Sequence, residues 1–274
     1  THRSYSDFLT ISTLLFKNHL PVPHIASGDW LNNLFYVTTI LKGCGAFIIK
    51  RKAEGLLYKT ILEEYIQQLM KYHYPIEFFI EGTRSRSGKM LHPKYGILAY
   101  MIDSLLKNQV SDFTILPTNI SYEKVWEDEA YSIELLGNIK KRESIAALVK
   151  ASKIITMKYG NVEVNVCDPI SISGFLNQMK KENPSFDPIN NEKDRKMFIG
   201  KIAYTILHQL NQAIVIMPSD LVATIMLQNR KGMEKKLLIS KIDWLIKQIV
   251  ESGGKIHYPK NIESSKFLDR TLEL

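Results

Sequence analysis

Cysteine is scarce: two in 274 residues leave no material for a disulfide framework. Cys44 and Cys167 lie in or beside apolar, strand-like runs and are expected to be buried, reduced thiols, which fits a reducing or redox-indifferent compartment. Long apolar runs are missing too, and none approaches the ~18 residues of a membrane-spanning helix. No signal-like segment precedes Thr1, and the missing initiator Met is expected to mark a fragment whose targeting signals lie outside it. There is no internal repeat, no low-complexity stretch and no P-loop. That motif needs four residues between its glycines and a Ser or Thr after the Lys. Here five residues separate Gly82 from Gly88, and Met90 follows Lys89, so nucleotide binding of that kind is not expected. Acidic residues are fewer than basic ones, 28 against 36.

What is present describes a folded, cationic chain. At 45% hydrophobic and 23% charged it can bury a substantial core, as one domain or one domain plus an appendage. The net charge of +8 and pI near 9.2 suit an anionic partner: nucleic acid, phospholipid headgroups, or a phosphorylated and CoA-linked substrate. Charge alone does not choose among them.

Taken in order, Phe8, Leu9, Ile11, Leu14, Leu15 and Phe16 keep helical spacing, and Ser4 with Asp7 resembles a capping box ahead of them. Two readings of Asp7 follow. It caps the helix while His2 is a solvent histidine, or it folds back to hold one ring nitrogen of His2 and leaves the other as a general base. Pro23–Gly28 reads as strand and turn, 31–41 as helix, and Gly45–Ile49 as a strand delivering Lys50, Arg51 and Lys52. A helix over 56–70 leads to Ile76–Ile80, apolar at four of five positions, which reads as a buried strand ending in the turn Glu81-Gly82-Thr83-Arg84-Ser85-Arg86-Ser87-Gly88-Lys89. Open sheets place ligands at such strand ends, and arginines there can grip an oxyanion in bidentate fashion. A further helix over 97–106, a strand over 113–121 bent or bulged at Pro117, a helix over 145–157 and a strand over 162–166 continue the alternation. Residues 175–193 read as a polar loop, 198–214 as a long helix. After Pro218 come a helix capped by Ser219, another over 234–250, and a strand-like 255–258 behind Gly253-Gly254. Helix, helix and wing invite a comparison with winged-helix DNA binders, but basic residues are scattered and structural packing is the preferred reading. The Asn119-Ile120-Ser121 sequon falls inside a strand, where glycosylation is not expected. The expected fold is α/β: a three-layer, largely parallel sheet flanked by helices over residues 1–217, with a small helical or winged appendage over 218–274.

The order and spacing of these signals are specific. His2 five residues before Asp7, the strand ending in Lys50-Arg51, the turn Glu81 to Arg86 and the strand holding Leu116-Pro117 resemble the four blocks of the glycerolipid acyltransferases. Leu57-Tyr58, Glu64-Tyr65, Pro93-Lys94-Tyr95-Gly96, Ile120 to Lys124, Glu134-Leu135-Leu136-Gly137 and Leu227-Gln228-Asn229-Arg230 extend the match. Within that superfamily the chain resembles the glycerol-3-phosphate/dihydroxyacetone phosphate acyltransferase family. The resemblance implies that His2, oriented by Asp7, deprotonates an acceptor hydroxyl as it attacks acyl-CoA. It implies no acyl-enzyme, no metal and no cofactor, acyl-CoA being a co-substrate. Lys50, Arg51, Arg84 and Arg86 are the implied phosphate ligands; Lys50 stands where relatives commonly carry Arg, keeping charge but losing the bidentate fork. Glu81 has a structural reading, as acceptor for backbone N–H groups, and this is preferred over acid–base work. Gly82, Thr83 and Ser85 are expected to shape the acceptor site, and Leu116, Pro117 and Ile120 the acyl channel or, equally, the core. Dihydroxyacetone phosphate is the favoured acceptor, with glycerol-3-phosphate the alternative; a membrane surface is an expected partner and nucleic acid is not. By resemblance alone the compartment is peroxisomal and membrane-associated, with mitochondrial or endoplasmic reticulum membrane as alternatives. A basic module that binds membrane or nucleic acid without catalysis is the competing reading from another class.

Overall fold

The computed structural model describes residues 1–28, 35–50, 55–136, 159–257 and 264–273. Expectations about 31–34, Arg51 and Lys52, Gly137, the helix over 145–157, and Tyr258 lie outside these residues.

The first third alternates as its periodicity foretells: α1 (Asp7–Lys17), β1 (His24–Gly28), α2 (Phe35–Gly43), β2 (Ala46–Ile49), α3 (Leu56–Lys71) and β3 (Ile76–Glu77). The strands form a small parallel sheet in the order β2-β1-β3, with Ile25 opposite both Ala46 and Glu77. Helical crossovers are what parallel neighbours require. β3 is shorter than the apolar run that predicts it. Only Ile76 and Glu77 pair, and the chain then leaves the ladder so that Phe79 and Glu81 can meet the N-terminal segment described below.

The next part contains α4 (Gly96–Leu106), β4 (Thr114–Ile115), β5 (Thr118–Tyr122), α5 (Asp128–Leu135), β6 (Val162–Val166), β7 (Ile170–Ser171), α6 (Ile172–Glu182) and α7 (Glu192–Gln212). Pro117 divides the expected strand into β4, antiparallel to β7, and β5, antiparallel to β6, a proline break between two sheets. Asn119, inside β5, is fully buried and bonded to Ser121 and Ala213, closing its sequon to glycosylation. The principal core joins α4, α6 and α7 with Ile80, Ile115 and Ile170 around the fully buried Phe198. Residues 175–182 are therefore helix rather than the loop their polarity suggests. Ser171 Oγ caps α6 by accepting from Gly174 N–H at 3.0 Å, and Met179 is buried against the core. α3 packs inward from Leu62 onward, where Ile66 and Met70 meet Met101, while Leu57 and Ile61 remain exposed.

β8 (Val215–Ile216), α8 (Pro218–Gln228), α9 (Lys235–Glu251), β9 (Lys255–Ile256) and α10 (Ser264–Leu272) complete the chain. Leu221, Ile225, Leu238, Ile242 and Leu268 make a second apolar cluster. Ser219 does not cap α8: its hydroxyl donates to Glu123 O at 2.7 Å, while Met217 N–H donates to Asp220 Oδ2 and Pro218 occupies the first turn. Cys44 and Cys167 are both free, but neither is buried as expected: Cys44 is exposed in the turn before β2 and Cys167 is half-buried.

Candidate active site

The site forms where residues 1–7 cross the turn that follows β3. His2 is fixed by its main chain, its N–H donating to Glu81 Oε1 at 2.9 Å and its carbonyl accepting from Ser85 N–H at 2.8 Å. Its ring stacks on Phe79, centroids 3.9 Å apart and planes 17° from parallel. Its Nδ1 lies 2.7 Å from Asp7 Oδ2. With 17% of its side chain exposed, His2 is no solvent histidine.

Asp7 is fully buried and receives four donors. Oδ2 accepts from Arg3 N–H at 2.8 Å and Ser4 N–H at 3.1 Å besides His2, and Oδ1 accepts from the Tyr122 hydroxyl at 2.6 Å. The expected capping box is only half present: Asp7 takes the Ser4 N–H, but the Ser4 hydroxyl donates to Glu127 and helix α1 begins behind Ser6 with no side-chain cap. An oxygen that already accepts two N–H groups makes Nδ1 the donating nitrogen of His2, which leaves the Nε2 lone pair available as a base. Burial, followed by the Asp7 charge, pushes the Tyr122 phenol far above the usual tyrosine range, so it stays protonated as a donor.

Glu81 accepts backbone N–H groups on both carboxylate oxygens. It is buried, with Oε1 on His2 N–H and Oε2 accepting from Leu91 N–H at 2.9 Å. Gly82 has φ +66°, and a Cβ there would fall 2.8 Å from Lys94 Cγ, so another residue would be both strained and crowded. Ser85 is buried beneath His2, and Thr83 is exposed on the outer side of the turn.

The cations divide. Arg84 is enclosed, its Nη1 donating to Glu127 Oε1 and to the Tyr131 hydroxyl at 3.0 Å each, with its guanidinium 3.3 Å from the Tyr5 ring centroid. Glu127 in turn accepts from Ser4 Oγ and Tyr5 N–H. Burial pushes the Glu127 carboxyl up, opposed by the Ser4 hydrogen bond and the Arg84 charge. Arg84 thus braces the His2 segment through Glu127, where sequence reading places it on the acceptor phosphate. Arg86 and Lys89 are exposed on the same turn, and Lys50 is exposed after β2 with Nζ 5.6 Å from the Tyr58 ring centroid.

Phe79 also lines a cavity of about 510 Å³, inside the ~300–1,000 Å³ span of small-molecule sites. Leu14, Ile80, Leu116, Pro117 and Ile120 are in its wall, so the fourth-block residues do face a space. Phe79 belongs both to this wall and to the His2 stack, which sets the cavity beside the base. Tyr122 and Glu127 are the supports that sequence reading missed as site residues; Tyr122 stood in a quoted motif, but no local pattern marks its contact with Asp7, 115 residues away.

Residues 1–121 match a general acyltransferase model, and residues 131–274, more than half of the chain, match the glycerol-3-phosphate acyltransferase C-terminal region. A dihydroxyacetone phosphate acyltransferase of Oryctolagus cuniculus is 35% identical over 95% of this chain and 40% of its own length; that of Homo sapiens is 36% identical over 95% and 39%. A glycerol-3-phosphate acyltransferase of Pseudomonas putida is 35% identical over 88% of this chain and 30% of its own. The chain therefore spans two fifths or less of these relatives. The two family models together span most of the chain, the second covers more than half of it, and relatives of both kinds match along it; the chain belongs to the glycerol-3-phosphate/dihydroxyacetone phosphate acyltransferase family.

Proposed function

We propose that the protein transfers an acyl group from acyl-CoA to the primary hydroxyl of dihydroxyacetone phosphate, the step that opens ether-lipid synthesis. The carrying observation is the buried Asp7 carboxylate that orients His2 beside an apolar cavity. His2 Nε2 removes the hydroxyl proton as that oxygen attacks the thioester carbonyl, Asp7 stabilises the imidazolium, and the proton leaves with the CoA thiol. The substrate supplies the nucleophile, so neither cysteine takes part. The acceptor phosphate is met by Arg86, with Lys50 and Arg51 of the second block, and the acyl chain occupies the cavity. Residues 1–217 carry the catalysis, and 218–274 are an appendage to them. Basic charge and the resemblance support work at a membrane surface; among the described residues no helix is long and apolar enough to cross one.

Glycerol-3-phosphate is the second reading, favoured by the name of the Pseudomonas relatives. The two acceptors share a phosphate and a primary hydroxyl and differ at the central carbon. A site that only donates to that oxygen takes both, whereas one that demands its proton rejects the ketone. Steady-state kinetics on the full-length protein, with palmitoyl-CoA saturating, should give dihydroxyacetone phosphate the higher specificity constant. A higher constant for glycerol-3-phosphate would reverse the assignment.

The two arginines should separate in kinetics. A charge-assisted hydrogen bond contributes roughly 1.5–3 kcal/mol, so Arg86→Ala should raise the acceptor's KM roughly 10- to 100-fold and leave that of acyl-CoA near wild type. Arg84→Ala leaves Glu127 buried without its cation and should lower stability by about 3 kcal/mol. Thermal melting of both variants checks this; an Arg84→Ala protein as stable as wild type would remove the bracing role.

A further inference from the structure

Glu77 has a place in the structure but no partner among the described residues. It is the last residue of β3, two positions before the Phe79 ring that stacks on His2, and it lines the cavity. Both of its carboxyl oxygens are buried, and among the described residues neither has a hydrogen-bond partner. Buried polar groups are nearly always satisfied, and one left unsatisfied in a ligand cavity asks what completes it. The neighbouring groups do not. His24 on β1 has a buried Nδ1 that is likewise unpartnered, His73 and Tyr74 precede β3 on the cavity wall, and α1 contributes Ile11, Leu14 and Leu15. Asp112, before β4, is already held by Ser171, Ser173 and Phe113. Asp7 adds a second negative charge, and the Thr1 amino group a weaker opposing one.

Burial chiefly, and then the charge of Asp7, pushes the Glu77 carboxyl up to about 8. At neutral pH it therefore carries a proton and can donate. An acyl chain in an apolar cavity brings one polar group with it, the carbonyl at its head. Neutral carboxylic acids kept protonated by apolar surroundings donate to reacting carbonyls elsewhere.

We propose that Glu77 is the polar contact of this cavity: in neutral form its O–H donates to the carbonyl oxygen of a seated acyl chain, and in ionised form it turns the chain away. This rests on the acyl-transfer reading above.

The test is the KM for palmitoyl-CoA between about pH 6.5 and 9.5, with the full-length protein and saturating acceptor. The neutral fraction falls tenfold for each pH unit beyond the carboxyl's titration, so the KM should be level at first and then rise about tenfold per unit. Glu77→Gln, which can donate but not ionise, should keep a low KM throughout; Glu77→Leu should show a raised KM that is level with pH. A level wild-type profile to pH 9.5, or a Glu77→Gln profile that rises with the wild type, would overturn the proposal. The wild-type profile decides by itself if the variants do not fold. Absence of thiol release at every pH removes the acyl-transfer reading and this proposal together, whereas turnover with a level KM removes Glu77's role alone.

Discussion

Replacing His2 by alanine is expected to abolish acyl transfer and leave the fold standing. A positioned general base contributes typically ~10²–10⁴ in rate, and an acceptor hydroxyl at neutral pH is too weak a nucleophile without one. Nothing else described in the site is aligned to take that proton: Glu81 is occupied by His2 and Leu91 N–H groups, and Asp7 by four donors. The fold survives because the bonds that fix this residue are in its main chain and are the same for alanine. What disappears is the Phe79 stack and one of four donors to Asp7, for a loss of about 1.5–3 kcal/mol. Circular dichroism should be unchanged and kcat lost. A folded variant with wild-type turnover would refute the assignment of the base.

Asp7→Asn should be nearly as severe in kcat and worse for stability. The carboxylate dictates that His2 donates from Nδ1; an amide can present its NH2 there instead and turn the ring to the tautomer whose Nε2 bears the proton. The same substitution in a serine-protease triad lowers kcat about 10⁴-fold, and a loss of about 10³–10⁴ is expected here. An amide must also face Arg3 N–H, Ser4 N–H and the Tyr122 hydroxyl, and its two hydrogens cannot satisfy donors. Several charge-assisted bonds are weakened together, so a destabilisation on the order of 3 kcal/mol should appear in denaturant unfolding. A structural role alone would lower stability with kcat intact; retained kcat in a destabilised Asp7→Asn protein would contradict the account.

The reach of sequence reasoning follows from the distance over which each feature is determined. α3, α4, α7, α9 and β6 declare themselves through local periodicity, and the parallel β2-β1-β3 sheet follows from the helices between its strands. α6 is hidden because Phe175, Leu176 and Met179 are a thin stripe in a polar segment crowded by Pro184 and Pro188, and it is the core around Phe198, with the Ser171 cap, that holds it. The spacing of His2 and Asp7 is visible, but taken alone it suits a helix cap better than a base, and the base reading draws on the other blocks. In the structure Asp7 takes the Ser4 N–H and His2 Nδ1 on one oxygen. Arg84 is placed by its turn, but its contact with Glu127 is not legible locally, because that partner lies 43 residues further on. Glu77 reads in the sequence as the polar exception in an apolar run, and nothing local shows that the whole run, Glu77 included, lines a cavity.

The most direct test is CoA thiol release followed with and without acceptor. If His2 activates the acceptor's own hydroxyl, release requires dihydroxyacetone phosphate or glycerol-3-phosphate and matches acylated product one for one. His2→Ala should release none. A burst of thiol equal to the enzyme without acceptor would reveal an acyl-enzyme, and no release with either acceptor would leave His2–Asp7 without its proposed reaction.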